Sequence, residues 1–264
     1  MKIFIDAGHG GDSIGATYKG RKEQDDCLKL SLKVRDLLLQ QKNVEVKMSR
    51  TTDVNPEIED RCAEANAWGA DYFLCIHRNA FKPNEAMGVE VWIYSKCVKG
   101  GETYQMAEKI LNEICSATGY KSRGVKLGAP SYDDFGVNRL TKMHSCLLET
   151  GFVDNDNDNA IFDKKFNELA EAIAKSVYEA NGGKWVEVKT KTEEKASTAE
   201  NGYIYYVQAG AFKDRTKAEA EAKRISKLIG VECFVGVKGD MDGDGKLTSD
   251  DSRILLRNAV GLGK

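Results

Sequence analysis

Short apolar runs alternate with longer amphipathic runs through the first ~180 residues, and this alternation most constrains the fold. Residues 2–6, 43–48, 71–77, 88–94 and 145–150 read as strands. Residues 23–42, 56–68, 101–117 and 159–180 read as helices, with Leu28, Leu32, Leu38 and Leu39 marking the buried face of the first. Pro56 sits in a first helical turn, where a missing N–H costs nothing. Strands separated by helices of this length predict an α/β fold: a central, mostly parallel sheet flanked by helices on both faces.

Beyond residue 182 the pattern changes. Residues 183–200 are polar, rich in Thr, Lys and Glu, and read as a linker. Residues 201–238 hold a strand, a helix over 216–228 and a second strand over 231–237. Residues 239–264 carry a separate signature. The chain of 264 residues is close to neutral, with 39 Lys+Arg against 41 Asp+Glu. That charge argues against a nucleic-acid partner. No apolar run reaches the ~20 residues of a membrane span. The opening MKIFIDAGHGG reads as a strand running into a glycine-rich loop, not as a signal peptide. Seven cysteines in irregular spacing, with no CxxC, read as thiols of a reducing compartment.

Two of the three histidines sit where strands end. His9 follows the first strand and His77 closes Asp71–His77. Ligand sites in α/β sheets gather at the carboxyl ends of strands, and two imidazoles there can hold one Zn²⁺. Glu23, at the start of the first helix, is placed to add an oxygen ligand. Glu149 ends an apolar strand, where an unpaired carboxylate is costly unless it serves a site. On spacing alone, a structural histidine and an ion-paired glutamate remain equally open readings.

The stretches IDAGHGGDSIGA (5–16), GRKEQDDCLKLSLKVRDLL (20–38), MSRTTD (48–53), RCAEANAWGADYFLCIHRNA (61–80), GVEVWIYS (88–95) and LLETGFVDN (147–155) together resemble the zinc-dependent type-3 N-acetylmuramoyl-L-alanine amidases. The resemblance covers residues 1–182 as a catalytic domain. It implies zinc ligands His9, Glu23 and His77, with Glu149 as the catalytic glutamate. The implied substrate is peptidoglycan, cut at the amide joining N-acetylmuramic acid to L-alanine. Gln24 is a poor zinc ligand beside Glu23, and His144 reads as structural. Asp6 reads either as an orienting partner of a ligand imidazole or as a loop cap. Arg50 and Arg61 read as ion-pair residues holding the fold. Arg78 reads as a substrate contact or a solvent-facing side chain.

YYVQAGAFKDRTKAEAEAKRI (205–225) resembles the opening half of a SPOR domain, a module that binds peptidoglycan. A lone unit of this size is too small to bury a core, so it reads either as a cell-wall-binding or dimerisation segment, with two chains each supplying half of a homodimer's sheet, or as a small structural appendage. Asp240, Asp242 and Asp244, with Gly245, Lys246, Thr248 and Asp251, fit an EF-hand-type calcium loop followed by a helix over 252–260. The loop resembles a single dockerin repeat and implies structural Ca²⁺. The run Asp154–Asp158 reads as a solvated turn capping a helix.

The reading that unites these features is a phage-endolysin-like enzyme, made in a host cytoplasm and acting on the cell wall. The alternatives are a host autolysin or sporulation-linked amidase, or an inactive module that only binds peptidoglycan.

Overall fold

The computed structural model describes residues 1–129 and 134–187, together with the backbone of 204–207, 233–237 and 252–257. The chain divides into two compact units, Met1–Val188 and Lys189–Lys264.

The first unit is built on a six-stranded sheet in the order β4-β1-β5-β8-β6-β7. Its strands are β1 (Lys2–Ala7), β4 (Glu45–Met48), β5 (Tyr72–Asn79), β6 (Val89–Ile93), β7 (Ser122–Leu127) and β8 (His144–Phe152). β4, β1, β5 and β8 run parallel, and β6 pairs antiparallel with β8. A two-residue hairpin, β2 (Thr17–Tyr18) and β3 (Arg21–Lys22), precedes the first helix. The expected mostly parallel sheet with helices on both faces is what the structure has. β7 had no clear signal in the sequence because Ser122-Arg123-Gly124 breaks any apolar alternation.

One face of the sheet packs Leu74, Ile76, Cys146 and Leu148 against α1 (Glu23–Leu38), α3 (Glu102–Thr118) and α6 (Phe166–Ala180). The other packs Phe4, Phe73, Cys75 and Leu147 against α2 (Ile58–Trp68) and the short α4 (Gly136–Arg139). Phe4 and Phe73 stack there at 5.4 Å between ring centroids. β1 is buried along nearly its whole length, as its unbroken apolar run requires.

Two helices depart from expectation. The buried stripe of α1 is Cys27, Leu30, Val34, Leu37 and Leu38, while Leu39 is exposed. This stripe keeps the 3–4 spacing of a helix face, and Glu23 and Asp26 lie at its N-terminal end. The face that enters the core therefore also carries the first-turn carboxylates inward. The expected helix over 159–180 is two helices, α5 (Asp156–Lys164) and α6, joined at Lys165 (φ −113°, ψ 23°). Asn155 caps α5 through its side chain, as read from the sequence. Asp158 is not solvated: it is buried and accepts hydrogen bonds from the Gly88 and Phe152 N–H groups.

The second unit contains a three-stranded antiparallel sheet, β10-β11-β9, made of β9 (Ile204–Val207), β10 (Cys233–Val237) and β11 (Ser252–Arg257). β11 corrects the expected helix over 252–260. Ile254-Leu255-Leu256 is a short apolar run, and periodicity cannot separate a buried strand from a helix in such a run. The central strand of this sheet comes from the same chain, so the argument that a second chain must complete the sheet loses its premise. The expected helix over 216–228 and the acidic loop 240–251 lie outside the described residues.

Candidate metal centre and catalytic cleft

The site forms at the carboxyl ends of β1, β5 and β8. The sheet face that packs Phe73, Cys75 and Leu147 under α2 and α4 continues beyond those helices to His77 and Glu149. These two residues are register partners on β5 and β8. His9 lies just past β1 in the turn Gly8-His9-Gly10-Gly11, with φ +60°, a conformation unusual for a residue with a side chain. Arg50 pins this turn by donating to the carbonyls of Ala7, Gly8, Thr52 and Gln24. Arg61 donates to the Ala7 and His9 carbonyls and pairs with Asp6 at 2.8 Å. Arg61 is thus an ion-pair residue as expected, whereas Arg50 works by holding carbonyl groups.

His9, Glu23 and His77 converge, with one ligand atom from each lying within 4.8 Å of the others. His77 Nδ1 is 2.9 Å from Glu23 Oε1, and His9 Nε2 is 3.1 Å from the same oxygen. The Arg78 N–H also donates to Oε1, and the Ala16 N–H donates to Oε2. Burial by itself raises the Glu23 pKa, but the contacts with His77 and His9 outweigh it and hold the carboxyl well below its usual range. Ser13 Oγ lies 3.1 Å from His9 Nδ1, on the side of the ring away from Glu23. Asp6 touches neither imidazole: it is taken up by Arg61 and by the Cys75 thiol, which donates to Oδ2. The orienting role read for Asp6 is therefore corrected.

Two glycines make the convergence sterically possible. A Cβ on Gly8 would lie 2.5 Å from the His77 ring. Gly15 has φ +66°, and a Cβ there would lie 2.6 Å from Glu23 Oε2 and 2.7 Å from His9 Cδ2. Gly15→Ala is expected to displace Glu23 and abolish tight metal binding while the core stays folded. Metal-binding calorimetry beside circular dichroism checks this.

Glu149 is buried, and its Oε2 has no hydrogen-bond partner. Burial first, then the Glu23 and Glu90 carboxylates, push its pKa well above the ordinary value; Arg78 opposes the shift. Glu90 is the register partner of Glu149 on β6 and was not singled out in the sequence. It accepts from Asn79 Nδ2, Trp92 Nε1 and Arg123 Nε at 2.8, 3.0 and 2.7 Å. Between Val89 and Val91 a glutamate reads as the outward residue of an alternating strand, so the sequence held no local signal for it. Arg78 is neither a substrate contact nor solvent-facing. It is buried, with Nη1 2.6 Å from Asp26 Oδ2 and its guanidinium 4.5 Å from the Phe162 ring centre. His144 lies at the opposite end of β8, with Nδ1 2.7 Å from Thr103 Oγ1, away from the cluster as expected. Gln24 is buried beside the site and contributes only its backbone carbonyl, to Arg50.

These groups open into a cleft of about 510 Å³. Its floor holds His9, Glu23, His77 and Glu149, and its walls include Asn55, Pro56, Ile58, Phe135, Val137 and Leu147. Two imidazole nitrogens and a carboxylate oxygen form a donor set suited to a divalent transition metal. The unpartnered Glu149 oxygen is suited to handling a proton beside it.

Residues 3–179 match the family model for N-acetylmuramoyl-L-alanine amidase. The chain belongs to this amidase family. The amidase is 36% identical over 235 residues to N-acetylmuramoyl-L-alanine amidase CwlM of Bacillus licheniformis, covering 87% of this chain and 84% of that one. That span exceeds the first unit, so the likeness runs into the second. It is also 36% identical to the endolysin of Bacillus phage SPP1, over 67% of this chain and 65% of that protein. The crystal structure of an N-acetylmuramoyl-L-alanine amidase from Clostridium difficile 630 matches with a TM-score of 0.63 and 32% identity. That match covers 70% of this chain and 98% of the other. The amidase is accordingly a peptidoglycan hydrolase that cleaves the amide between N-acetylmuramic acid and L-alanine. No helix among its described residues is long and apolar enough to cross a membrane.

Proposed function

We propose that this amidase is a zinc enzyme in which His9, Glu23 and His77 hold the metal and Glu149 moves the proton. The observation that carries the reading is the buried, unpartnered Glu149 Oε2 beside a two-histidine, one-carboxylate cluster. Zinc in that donor set would polarise the scissile carbonyl and lower the pKa of an attacking water toward ~7. Glu149 accepts the proton of that water and delivers it to the alanine nitrogen as the amide breaks. The Arg50 and Arg61 hydrogen bonds keep the His9 turn fixed, so the cluster is organised before substrate arrives.

The test is digestion of purified peptidoglycan, scoring new amino groups against new reducing sugar ends, with and without a zinc chelator. Release of alanine amino groups, stopped by the chelator and restored by zinc, without reducing ends, is the expected result. Release that survives complete removal of the metal would overturn the zinc assignment. No release at all would favour the binding-only alternative.

For the setting, we favour a phage-type endolysin. Support comes from the phage relative and from the free thiols of Cys27, Cys62, Cys75, Cys97, Cys115 and Cys146, which suit synthesis in a reducing compartment. The Bacillus licheniformis amidase, equally identical and matched over 87% of this chain against 67% for the phage protein, and the sporulation-specific amidase of Bacillus subtilis keep a host autolysin or sporulation-linked amidase as the second reading. Calcium binding by Asp240, Asp242, Asp244, Lys246 and Asp251 rests on the Asp/Gly spacing alone. The strand β11 after that loop replaces the exit helix of a dockerin-like repeat.

A further inference from the structure

Apolar side chains exposed to water concentrate around the catalytic cleft. Among the described residues, seven large hydrophobics are exposed: Ile14, Leu39, Val54, Ile58, Phe81, Val98 and Val186. Four of them belong to the cleft or flank it. Ile58 lines it, and Ile14, Val54 and Phe81 each directly adjoin a lining residue, namely Ser13, Asn55 and Ala80. Phe81 is the largest of the four and the most exposed, at 63%.

Phe81 is also held in place. Its N–H donates to Asp154 Oδ2 at 3.0 Å, and the Asn84 N–H donates to the Asp154 carbonyl at 3.0 Å. Asn155 Nδ2 donates to the Ala86 carbonyl, and the Asp156 N–H donates to Asn84 Oδ1. The loop is thus tied at four points to the chain leaving β8, the strand that carries Glu149. Lys82 Nζ sits 5.7 Å from the centre of the Phe81 ring and 3.7 Å from Glu85 Oε2. Because the backbone that presents this exposed aromatic is already fixed, a ligand covering the ring has no loop ordering to offset.

We propose that Phe81 is a binding platform for the sugar ring of the muramoyl residue at the scissile bond. The inference rests on the amidase reading. In that substrate the reacting carbonyl belongs to the lactyl group carried by the sugar, so a carbonyl seated at the His9, Glu23 and His77 cluster places the ring only a few bonds away, at the cleft rim. The apolar C–H face of a pyranose suits an uncharged aromatic surface, which can contribute affinity without fixing hydrogen-bond geometry. The other surface that could receive exposed apolar groups is an anionic bilayer. The acidic side chains Asp12, Asp53 and Glu57 interleave with Ile14, Val54 and Ile58 on the rim and disfavour it.

The test uses the full chain, loaded with zinc, and two soluble substrates. One is a disaccharide-peptide containing the muramoyl sugar; the other is the same peptide acylated by lactate alone. The expected result is that wild type prefers the sugar-bearing substrate. Phe81→Ala then reduces that preference by about 5- to 10-fold through KM, with hydrolysis of the lactoyl peptide unchanged, and Phe81→Trp restores it. A Phe81→Ala variant with an unaltered preference, or one that slows both substrates equally, overturns the platform. If wild type cleaves both substrates equally well, the platform falls and the amidase reading stands. If it cleaves neither, the amidase reading fails and the platform with it.

Discussion

Glu149→Gln is expected to lower peptidoglycan hydrolysis by about 10²- to 10⁴-fold, the range for loss of a positioned general acid–base group. Metal binding is expected to persist, because Glu149 is not one of the three converging ligands. The amide is nearly isosteric, so the cleft keeps its shape while the proton carrier is lost. A stability effect of opposite sign accompanies this loss. Burial and the neighbouring Glu23 and Glu90 carboxylates raise the Glu149 pKa in the folded protein. Between the ordinary carboxylate value and that raised value, the folded chain binds more protons at this position than the unfolded chain. Its contribution to stability therefore falls as pH rises through that window. Metal-free Glu149→Gln should be more resistant to urea than metal-free wild type at neutral pH, with the difference shrinking toward pH 4. Full hydrolytic activity in this variant would remove Glu149 from the chemistry.

Arg78→Met is expected to cost about 3–5 kcal/mol of stability, the range for breaking a buried pair by removing one partner. The Arg78 side chain is fully buried, and Asp26 is nearly so. Arg78 Nη1 reaches Asp26, Nη2 donates to the Phe152 carbonyl, and the guanidinium lies against Phe162. Methionine fills the volume but leaves the Asp26 charge to Arg21 alone, whose Nε is 2.6 Å from Oδ2. Arg21 also forks onto Asp163, so it offers only partial compensation and the lower end of the range is expected. Urea midpoints at constant m-value measure the change. Asp26 lies one turn beyond Glu23 on α1, so the same variant should also weaken metal binding. A loss below about 1 kcal/mol would mean that the pair does little to hold the helix against the sheet.

The centre of the sheet was legible because β1, β5 and β8 are buried on both faces and so read as unbroken apolar runs, as in Phe73-Leu74-Cys75-Ile76. The candidate metal cluster was legible because residue types suited to ligation, His9, Glu23 and His77, fall at strand ends or a helix start. Its supporting contacts were not. Arg78 follows His77 in the chain, and nothing local indicates that Asp26 awaits it inside the protein. Glu90 looks like a solvent-facing strand residue until β8 is found to pair with β6 in antiparallel register, which places it opposite Glu149. The two readings of Asp6 could not be separated in the sequence because its partner, Arg61, is 55 residues away. The C-terminal helix was misread because three apolar residues in a row, Ile254-Leu255-Leu256, satisfy either period, and only pairing with β9 and β10 decides between them. Tertiary partners settled each of these cases, and a single sequence does not display them.

The central claim is that His9, Glu23 and His77 together hold one zinc ion within reach of Glu149. Anomalous diffraction at the zinc edge from crystals of zinc-loaded Glu149→Gln tests it most directly. The account predicts a single strong peak about 2.0–2.2 Å from His9 Nε2, His77 Nδ1 and a Glu23 carboxylate oxygen. A peak elsewhere, or zinc bound through a cysteine thiolate at about 2.3 Å, would contradict it.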